Sequence, residues 1–584
     1  MNSSQVIGKT VQIFCLIILF ILAITHNPLF STIYAKYDPR TEPNNQFGIH
    51  VVDPTDLDGV QKLINSNGGS WGYIKFVIPE TDRNTDKWNQ VFRELRRKKL
   101  IPIVRIATRM ENDGWARPSQ DSIRDWPAFL NTLSWPTENR YVVLFNEPNH
   151  AQEWGGEIDP EDFARTTVTL AKKLKEASAD YFILPAGLDV SASTTGESLS
   201  ADIFLKKVKE TDPEYFEVID GWTSHSYPNP AFSAPPTGTG RGSLRSYQWE
   251  IEFLRSLGIT RNLPVLIGET GWSHKEGLAN NPNLLSTQTI AGYMKNAGES
   301  VWKDKQIFAV IPFLYDYQSQ PFDIFSWKKI GGGEFYDHYF TFQALSKTQG
   351  TPKQHENYTI LNSPLPEKLV AGSLYQFPVE MKNNGQAIIS SKENYFLSIN
   401  DPSALFTFTA EAIPTIEPDQ TIHVLMSLRT PEKIGNYDIS LQLLHGEETF
   451  PLTQKTITVI PPPALKVEVQ LGWKSSSDAT KAAVLVYDGN NLLQEFNDLS
   501  ADHGIVSTPG ILSIVPGQYY RIVTIIPYYL PRQSIQQIGD QVTVITNNRF
   551  LPFDINNDQH LSINDLRDFI RQKPSNILPR FFGP

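Results

Sequence analysis

The chain has 584 residues and a formal net charge of −11, and its 40% share of hydrophobic residues is ordinary for a folded soluble protein. This length exceeds what one hydrophobic core usually supports, so several domains are expected. The one concentrated basic run, residues 96–99, ends a predicted helix, where cations favour the helix dipole, so no nucleic-acid partner is expected. Cys15 is the only cysteine, which excludes a disulfide framework and a cysteine nucleophile from the folded part.

Residues 1–35 are predicted to be a signal peptide or a membrane anchor. Lys9 precedes an apolar run over 11–24, whose length is typical of a signal peptide and short for a membrane span. Ala35 offers a cleavage site and is the favoured end of this segment. An uncleaved anchor is the alternative, which Pro28 disfavours, and it would attach the protein to the membrane or cell surface. Both predictions make the rest of the chain extracellular or cell-surface.

Strand and helix patterns alternate from residue 47 to residue 347, which is typical of parallel βα units. Eight such units predict an α/β fold of the (β/α)₈ or TIM-barrel type over 36–350. A doubly wound open sheet is the alternative, but no glycine-rich phosphate loop follows the first strand. The predicted strands cover 47–52, 71–78, 101–107, 141–145, 181–187, 221–227, 263–269 and 307–315. The predicted helices cover 56–65, 85–99, 121–133, 201–209, 244–257, 287–303 and 336–345, with another beginning at 159.

Short alternating strands with turn residues between them follow from residue 358. They predict a β-sandwich over 356–460, then a proline linker over 461–463 and a second β-sandwich module over 464–548. The first module resembles the immunoglobulin-like accessory domains of exported bacterial proteins. It has no clear aromatic strip for binding sugars, so a spacer role is expected.

Two glutamates end predicted buried strands. Glu147 follows the fourth strand in an Asn-Glu-Pro motif, and Glu269 ends the seventh in a Gly-Glu-Thr-Gly-Trp motif. The carboxyl ends of barrel strands share one rim, where active sites are built. Cleaving a glycosidic bond needs one carboxylic acid to protonate the leaving oxygen and a second carboxylate to attack the anomeric carbon or activate water. The pair predicts a glycosidase, whereas two solvated loop acids are the plain alternative.

These two motifs resemble those of the retaining (β/α)₈ glycoside hydrolases of the cellulase-like superfamily, the 4/7 clan or clan GH-A. The resemblance covers residues 47–347. It implies retaining double displacement on a β-linked glycan or glycoside, with Glu147 as the acid/base and Glu269 as the nucleophile. It also implies a carbohydrate substrate and no cofactor for catalysis.

Further candidates lie beside the same predicted strand ends. Asn146 is a candidate for bonding a sugar hydroxyl. His225 and Tyr227 end the sixth strand, where members of the superfamily often contact the nucleophile or the substrate. His50 on the first strand is a further candidate. A histidine satisfied within the core is the alternative for His225.

Arg105 ends the third strand, inside the predicted barrel, where an unpaired charge would be costly. It is expected to hold Glu269 ionised by charge pairing. Members of the superfamily often carry such an arginine at the end of the second strand, where this chain has Lys75 instead.

Several aromatic residues lie on or after predicted strand ends, and flat aromatic faces stack well on sugars. Trp327 is the main candidate for the floor of a sugar site, by resemblance to the superfamily. Core packing is the alternative for about half of the set. The candidates are Trp272, Trp327 and Tyr315, with Trp154 and Trp115 in similar positions.

The tail over 549–584 contains a pattern of oxygen ligands that resembles half of an EF-hand of the dockerin type. One copy is present where a dockerin has two, and Gln559 stands where glycine is usual. A structural calcium ion is expected, and a cohesin-like partner is not. The ligands at positions 1, 3, 5, 7, 9 and 12 are Asp554, Asn556, Asp558, the carbonyl of His560, Ser562 and Asp565.

The sequence therefore predicts an exported glycoside hydrolase. The alternative is a catalytically inactive carbohydrate-binding or cell-surface adhesion protein, and the intact glutamate pair favours the enzyme.

Overall fold

The computed structural model describes residues 37–111, 114–362, 365–474 and 480–582. The predicted signal peptide or anchor over 1–35 lies outside the described residues. The chain divides into two compact units, of which the first ends at His355 and the second begins at Glu356. Within the described ranges, no helix is both long and apolar enough to cross a membrane.

The first unit contains the eight predicted strands, which are almost wholly buried along their length. Burial on both faces explains why their sequences are continuous apolar runs rather than alternating ones. The eighth strand ends three residues earlier than predicted. The strands are β1 Gly48–His50, β2 Gly72–Pro79, β3 Leu100–Ala107, β4 Arg140–Leu144, β5 Tyr181–Pro185, β6 Trp222–His225, β7 Val265–Thr270 and β8 Ile307–Pro312.

Helices alternate with these strands, and five of the nine described helices begin at a residue whose side chain caps the helix. Asn84 caps α2 by accepting from the backbone N–H of Lys87, and Asp159 caps α4 before Pro160. The predicted helix over 287–303 instead ends at Glu299, and a 3₁₀ turn follows it. The helices are α1 Leu57–Ile64, α2 Thr85–Arg97, α3 Gln120–Asn131, α4 Pro160–Ala177, α5 Ala201–Thr211, α6 Tyr215–Val218, α7 Ser246–Ser256, α8 Thr287–Glu299 and α9 Asp337–Ala344.

The strands pair in parallel in chain order, as β1-β2-β3-β4-β5 and as β6-β7-β8. A bridge between Phe47 and Val310 joins the β1 and β8 edges. At the other junction, the N–H of Asp220 donates to the carbonyl of Ile183 over 2.8 Å. Both sheets supply side chains to one inner cluster, and full closure into a barrel remains a prediction. The inner cluster includes Tyr73, Ile103, Tyr141, Phe182, Leu266 and Phe308.

The second unit begins with two four-stranded sheets whose buried faces share one core. Alternation along β11, exposed then buried through most of its length, produces one core face. One sheet has the order β9-β11-β14-β13 and the other β10-β16-β15-β12. Their strands are β9 Tyr358–Asn362, β10 Lys368–Val370, β11 Leu374–Asn383, β12 Tyr395–Asn400, β13 Thr407–Ala410, β14 Thr421–Arg429, β15 Gly435–His445 and β16 Glu448–Ile460.

In the module predicted as a second β-sandwich over 464–548, the seven strands are hydrogen-bonded into one continuous sheet. The long strand β19 pairs with β18 along most of its length and with β20 at its end, so it belongs to both halves. Bridges at Phe550 and Pro552 connect the two edge regions. The order is β22-β21-β18-β19-β20-β17-β23, with β17 Leu465–Glu468, β18 Lys481–Asp488, β19 Asn491–Asp502, β20 Ile505–Ser507, β21 Tyr519–Ile526, β22 Tyr529–Gln537 and β23 Thr543–Thr546.

Two short helices end the described chain, α10 Ile563–Arg571 and α11 Pro574–Phe582. Ile555, Ile577 and Phe581 are buried in the core of the seven-stranded sheet. The tail therefore packs as part of that module.

Candidate active site

The turn after β4 presents the first glutamate. Phe145 adopts a left-handed backbone with φ of 71°, which is uncommon for a residue with a side chain. This turn takes Asn146 and Glu147 out of the strand ladder, and Pro148 has no N–H with which to continue it. The side chain of Glu147 is 23% exposed, so it lies at an accessible edge of the first unit.

Glu269 lies on β7 and its carboxylate is surrounded by polar groups. The Nζ of Lys75 donates to Glu269 Oε1 over 3.1 Å and to the carbonyl of Gly268 over 3.0 Å. Tyr227 donates its hydroxyl to Glu269 Oε2 over 3.2 Å. The Nδ1 atom of His50 lies 3.7 Å from Oε1. The structure thus brings the predicted residues His50 and Tyr227 to this carboxylate.

Positive charge keeps Glu269 ionised although it is buried. Burial alone would raise the pKa of Glu269, but nearby cations, with Lys75 the strongest, together hold that pKa well below its usual range. Lys75 is wholly buried, and burial lowers its own pKa while Glu269 counteracts that effect. Burial, followed by the charge of Lys75, also holds the pKa of His50 well below its usual range. His50 is therefore neutral beside the charged pair of Lys75 and Glu269.

His225 lies between the two glutamates. Its Nδ1 atom is 2.7 Å from Glu147 Oε1 and 4.0 Å from Glu269 Oε2. Because both distances start at the same nitrogen, the two carboxylate oxygens are at most 6.7 Å apart, the sum of 2.7 and 4.0 Å. The carboxylates of Glu147 and Glu269 therefore lie close together, with His225 next to both.

The expected ion pair of Arg105 with Glu269 is corrected, because Lys75 forms that pair. Arg105 pairs in register with Val77, two residues beyond Lys75 on β2, so its side chain lies further toward the strand end. Its guanidinium lies 5.9 Å from the ring centre of Trp115. The charge of Arg105 still contributes to lowering the pKa of Glu269, but less than the charge of Lys75.

The expected sugar-stacking roles of three aromatic residues are also corrected. Trp272, Trp327 and Tyr315 are only 2–3% exposed and belong to the core between strands and helices. Trp327 packs edge-on against Phe342, and the hydroxyl of Tyr315 donates to Asp56 at the start of α1. None of these three offers an open face to a sugar. Trp154 is equally buried, whereas Trp115 is partly exposed beside Arg105.

Sequence reasoning missed two residues near the site. Lys75 was named only as a departure from the superfamily, although a lone cation in an apolar strand was the available signal. Glu153, in the turn after β4, gave no signal, because its approach to Asn146 and Arg105 depends on how that turn folds.

The tail brings three of its predicted metal ligands together. Carboxylate oxygens of Asp554, Asp558 and Asp565 lie within 4.8 Å of one another. The Oδ1 atom of Asp554 is buried without a hydrogen-bond partner among the described residues. Gln559 has φ of 70°, the left-handed conformation for which glycine is usual at this position.

The remaining predicted ligands shape this loop through local hydrogen bonds. The Nδ2 atom of Asn556 donates to Asp558 Oδ2, and the N–H of His560 donates to Asp558 Oδ1. Asp565 accepts from the N–H of Ser562, which caps α10. These residues fit a calcium ion in donor type, since all offer oxygen.

Comparisons with solved structures give several glycoside hydrolases at low similarity. A family 39 glycoside hydrolase from Bacteroides cellulosilyticus WH2 is 13% identical, with 68% of this chain and 82% of that chain covered and a TM-score of 0.36. The β-mannanase from Thermomonospora fusca is 15% identical, with 51% and 87% covered and a TM-score of 0.34. No family model and no curated protein sequence matches the chain. At these similarities the likeness carries no functional argument, and function rests on the site itself.

Proposed function

We propose that this protein is a glycoside hydrolase that cleaves an O-glycosidic bond of a β-linked glycan or glycoside with retention of configuration. The first unit would be a closed (β/α)₈ barrel, with Glu147 as the acid/base and Glu269 as the nucleophile. The observation that carries the proposal is the close pair of carboxylates, at most 6.7 Å apart. Retaining enzymes hold their carboxyl groups about 5–5.5 Å apart and inverting enzymes about 6.5–9.5 Å apart, so the upper bound of 6.7 Å is compatible with retention and with only the shortest inverting separations.

The surroundings of the two glutamates support different roles. Glu269 is buried and its low pKa keeps it ionised, as attack on the anomeric carbon requires. Glu147 is the more exposed, with 23% of its side chain accessible against 11% for Glu269. A more exposed group can reach both a leaving oxygen and an incoming water.

The reaction would proceed in two displacements. In the first, a Glu269 oxygen bonds to the anomeric carbon while the glycosidic C–O bond breaks and Glu147 gives its proton to the leaving oxygen. In the second, Glu147 takes a proton from water, whose oxygen bonds to the anomeric carbon and releases Glu269. Tyr227 and Lys75, which both donate to Glu269, would hold the carboxylate in place for attack.

A panel of aryl β-glycosides tests the proposal. We expect hydrolysis whose first sugar product is the β-anomer by NMR, and a glycosyl adduct on Glu269 by mass spectrometry with a slow substrate. An α-anomer as the first product would contradict retention. Equal inactivity of the wild type and Glu269→Ala on every glycan, with sugar binding by both, would favour the inactive binding protein instead.

We also propose that the loop over 554–565 holds a structural calcium ion. The supporting observation is the unpartnered, buried Asp554 Oδ1 beside two further carboxylates. Burial, and then the charges of Asp565 and Asp558, raise the pKa of Asp554, as mutual repulsion without a cation would. Export through the N-terminal segment and a spacer role for the first β-module remain proposals from the sequence.

A further inference from the structure

A small pocket lies at the ends of β3 and β4, and its lining residue Glu153 is close enough to Glu147 and Glu269 for their charges to raise its pKa. The pocket is lined by Arg105, Trp115, Asn146, Glu153 and Trp154, among others. Three polar atoms in its wall are buried without a hydrogen-bond partner among the described residues. These are Arg105 Nε, Asn146 Oδ1 and Glu153 Oε2. Asn146 immediately precedes Glu147, so the pocket adjoins the proposed acid/base.

Arg105 and Glu153 influence one another without forming an ion pair. Burial raises the pKa of Glu153, and the charge of Arg105 partly offsets that effect. Arg105 is 92% buried, since 8% of it is exposed, yet within the described chain it forms no ion pair with a carboxylate. A buried guanidinium nitrogen and a buried carboxylate oxygen that both lack a partner are costly. A group that offers both a hydrogen-bond acceptor and a donor, such as a water or a hydroxyl, can satisfy both atoms.

The chemistry of a ligand in this pocket is restricted. A hydroxyl group can accept from the guanidinium of Arg105 and donate to the carboxylate of Glu153 at the same time. A carboxylate on the ligand would accept from Arg105, but Glu153, Glu147 and Glu269 would repel it. An ammonium would suit Glu153 but would be repelled by Arg105. A neutral, hydroxylated sugar is the class that fits all of these groups.

We propose that this pocket is a specificity site that binds a hydroxyl group of a neutral sugar next to the bond being cleaved, with Arg105 as donor and Glu153 as acceptor. The pocket would select neutral sugars over uronic acids and amino sugars. This inference rests on the proposed glycosidase function, because it assigns the substrate class of the same site.

Monodeoxy substrates test the inference. The best aryl β-glycoside of a neutral sugar is compared with derivatives that each lack one hydroxyl, for the wild type, Glu153→Ala and Arg105→Met. We expect one deoxy position to lower the wild-type kcat/KM on the order of 10- to 100-fold, as loss of a hydrogen bond to a charged group does. In Glu153→Ala the same deoxy substrate and its parent should be hydrolysed at similar rates.

Glu157→Ala is the matched control, because Glu157 lies in the same turn with 76% of its side chain exposed. It should keep the wild-type penalty at the sensitive position. Unchanged penalties in Glu153→Ala and Arg105→Met would overturn the inference while leaving the proposed function intact. Faster hydrolysis of a matching uronide or amino glycoside by the wild type would overturn it too.

Binding measurements distinguish a failure of the proposed function from a failure of the pocket. When the wild type hydrolyses none of the glycosides, titration calorimetry with neutral monosaccharides and the matching uronic acids replaces kinetics. Binding of a neutral sugar that Glu153→Ala abolishes and Glu157→Ala retains would support the pocket. Preference for the uronic acid, or no sugar binding, would overturn it.

Discussion

Lys75 divides its hydrogen bonds between a backbone carbonyl and the Glu269 carboxylate, in a position with no access to water. If Lys75 were replaced by an apolar residue, water could not reach Glu269 from that position to replace the lost hydrogen bonds. Lys75 therefore controls both the charge of Glu269 and the stability of the strands around it.

Replacing Lys75 with Met should raise the pKa of Glu269, because burial raises that pKa and the positive charge that most strongly lowers it would be gone. The acidic limb of the kcat/KM profile should move to higher pH. The fold should lose about 3–5 kcal/mol, the usual consequence of breaking a buried pair. A carboxyl group with a depressed pKa stabilises the fold above its unfolded-state pKa, and this stabilisation disappears as the pH falls. The destabilisation caused by Lys75→Met should therefore be largest near neutral pH.

The pH–rate profile and denaturant unfolding measure the two effects. Lys75→Arg keeps the cation and should retain the wild-type acidic limb, and Lys62→Met, at an exposed helix position, should change neither quantity. An acidic limb that stays in place in Lys75→Met would contradict the role of Lys75.

Replacing Glu147 with Ala should affect substrates according to their leaving groups. A dinitrophenyl glycoside needs little protonation, so its glycosylation rate should stay near that of the wild type. An alkyl glycoside should lose about 10²- to 10⁴-fold, the usual contribution of a general acid. Burst kinetics separates the two displacements, and equal loss on both substrates would sink the acid/base assignment.

At the scale of elements, helix α7 places a carboxylic acid in the core of the first unit. Glu250 is wholly buried, and neither carboxylate oxygen has a hydrogen-bond partner of normal geometry in the described chain. Burial raises the pKa of Glu250 to about 7, although Ser224 and Trp222 on β6 partly offset it.

This raised pKa predicts how stability changes with pH. The contribution of Glu250 is complete below about pH 4.5, its ordinary pKa, and is lost as the pH rises to about 7. Glu250→Gln should remove that loss and stabilise the fold at pH 8 on the order of 3 kcal/mol. Thermal unfolding at several pH values measures this. Glu252→Gln, exposed on the same helix, should leave the pH dependence unchanged, and a wild-type-like dependence in Glu250→Gln would contradict the assignment.

The elements of the first unit could be predicted because buried strands and capped helices leave periodic patterns. The approach of Glu147 and Glu269 followed from their positions at strand ends.

The position of Lys75 relative to Arg105 could not be predicted, since it depends on how far along neighbouring strands each side chain lies. Buried Trp327 and an exposed tryptophan look alike in sequence, because both sit among apolar neighbours. The single sheet of the last module depends on β19 pairing with two partners.

At the scale of the whole molecule, the tail should couple calcium to the stability of the second unit. A ligand at 100 times its Kd stabilises a fold by about 2.7 kcal/mol. Calcium should therefore raise the Tm of one calorimetric transition of the full chain, and a chelator should reverse it. Asp554→Asn should abolish the shift, and Asp568→Asn, outside the carboxylate cluster, should retain it. An identical Tm with calcium and with chelator would exclude a structural ion there.

The bridge between Phe47 and Val310 also limits when the first unit can finish folding during synthesis. The two residues come from opposite ends of the first unit, so the contact waits until the ribosome has made nearly all of it. Synthesis at about 5–20 residues per second makes that delay on the order of tens of seconds. During this interval β1 cannot pair with β8, so apolar surface that is buried in the folded unit stays exposed on the nascent chain.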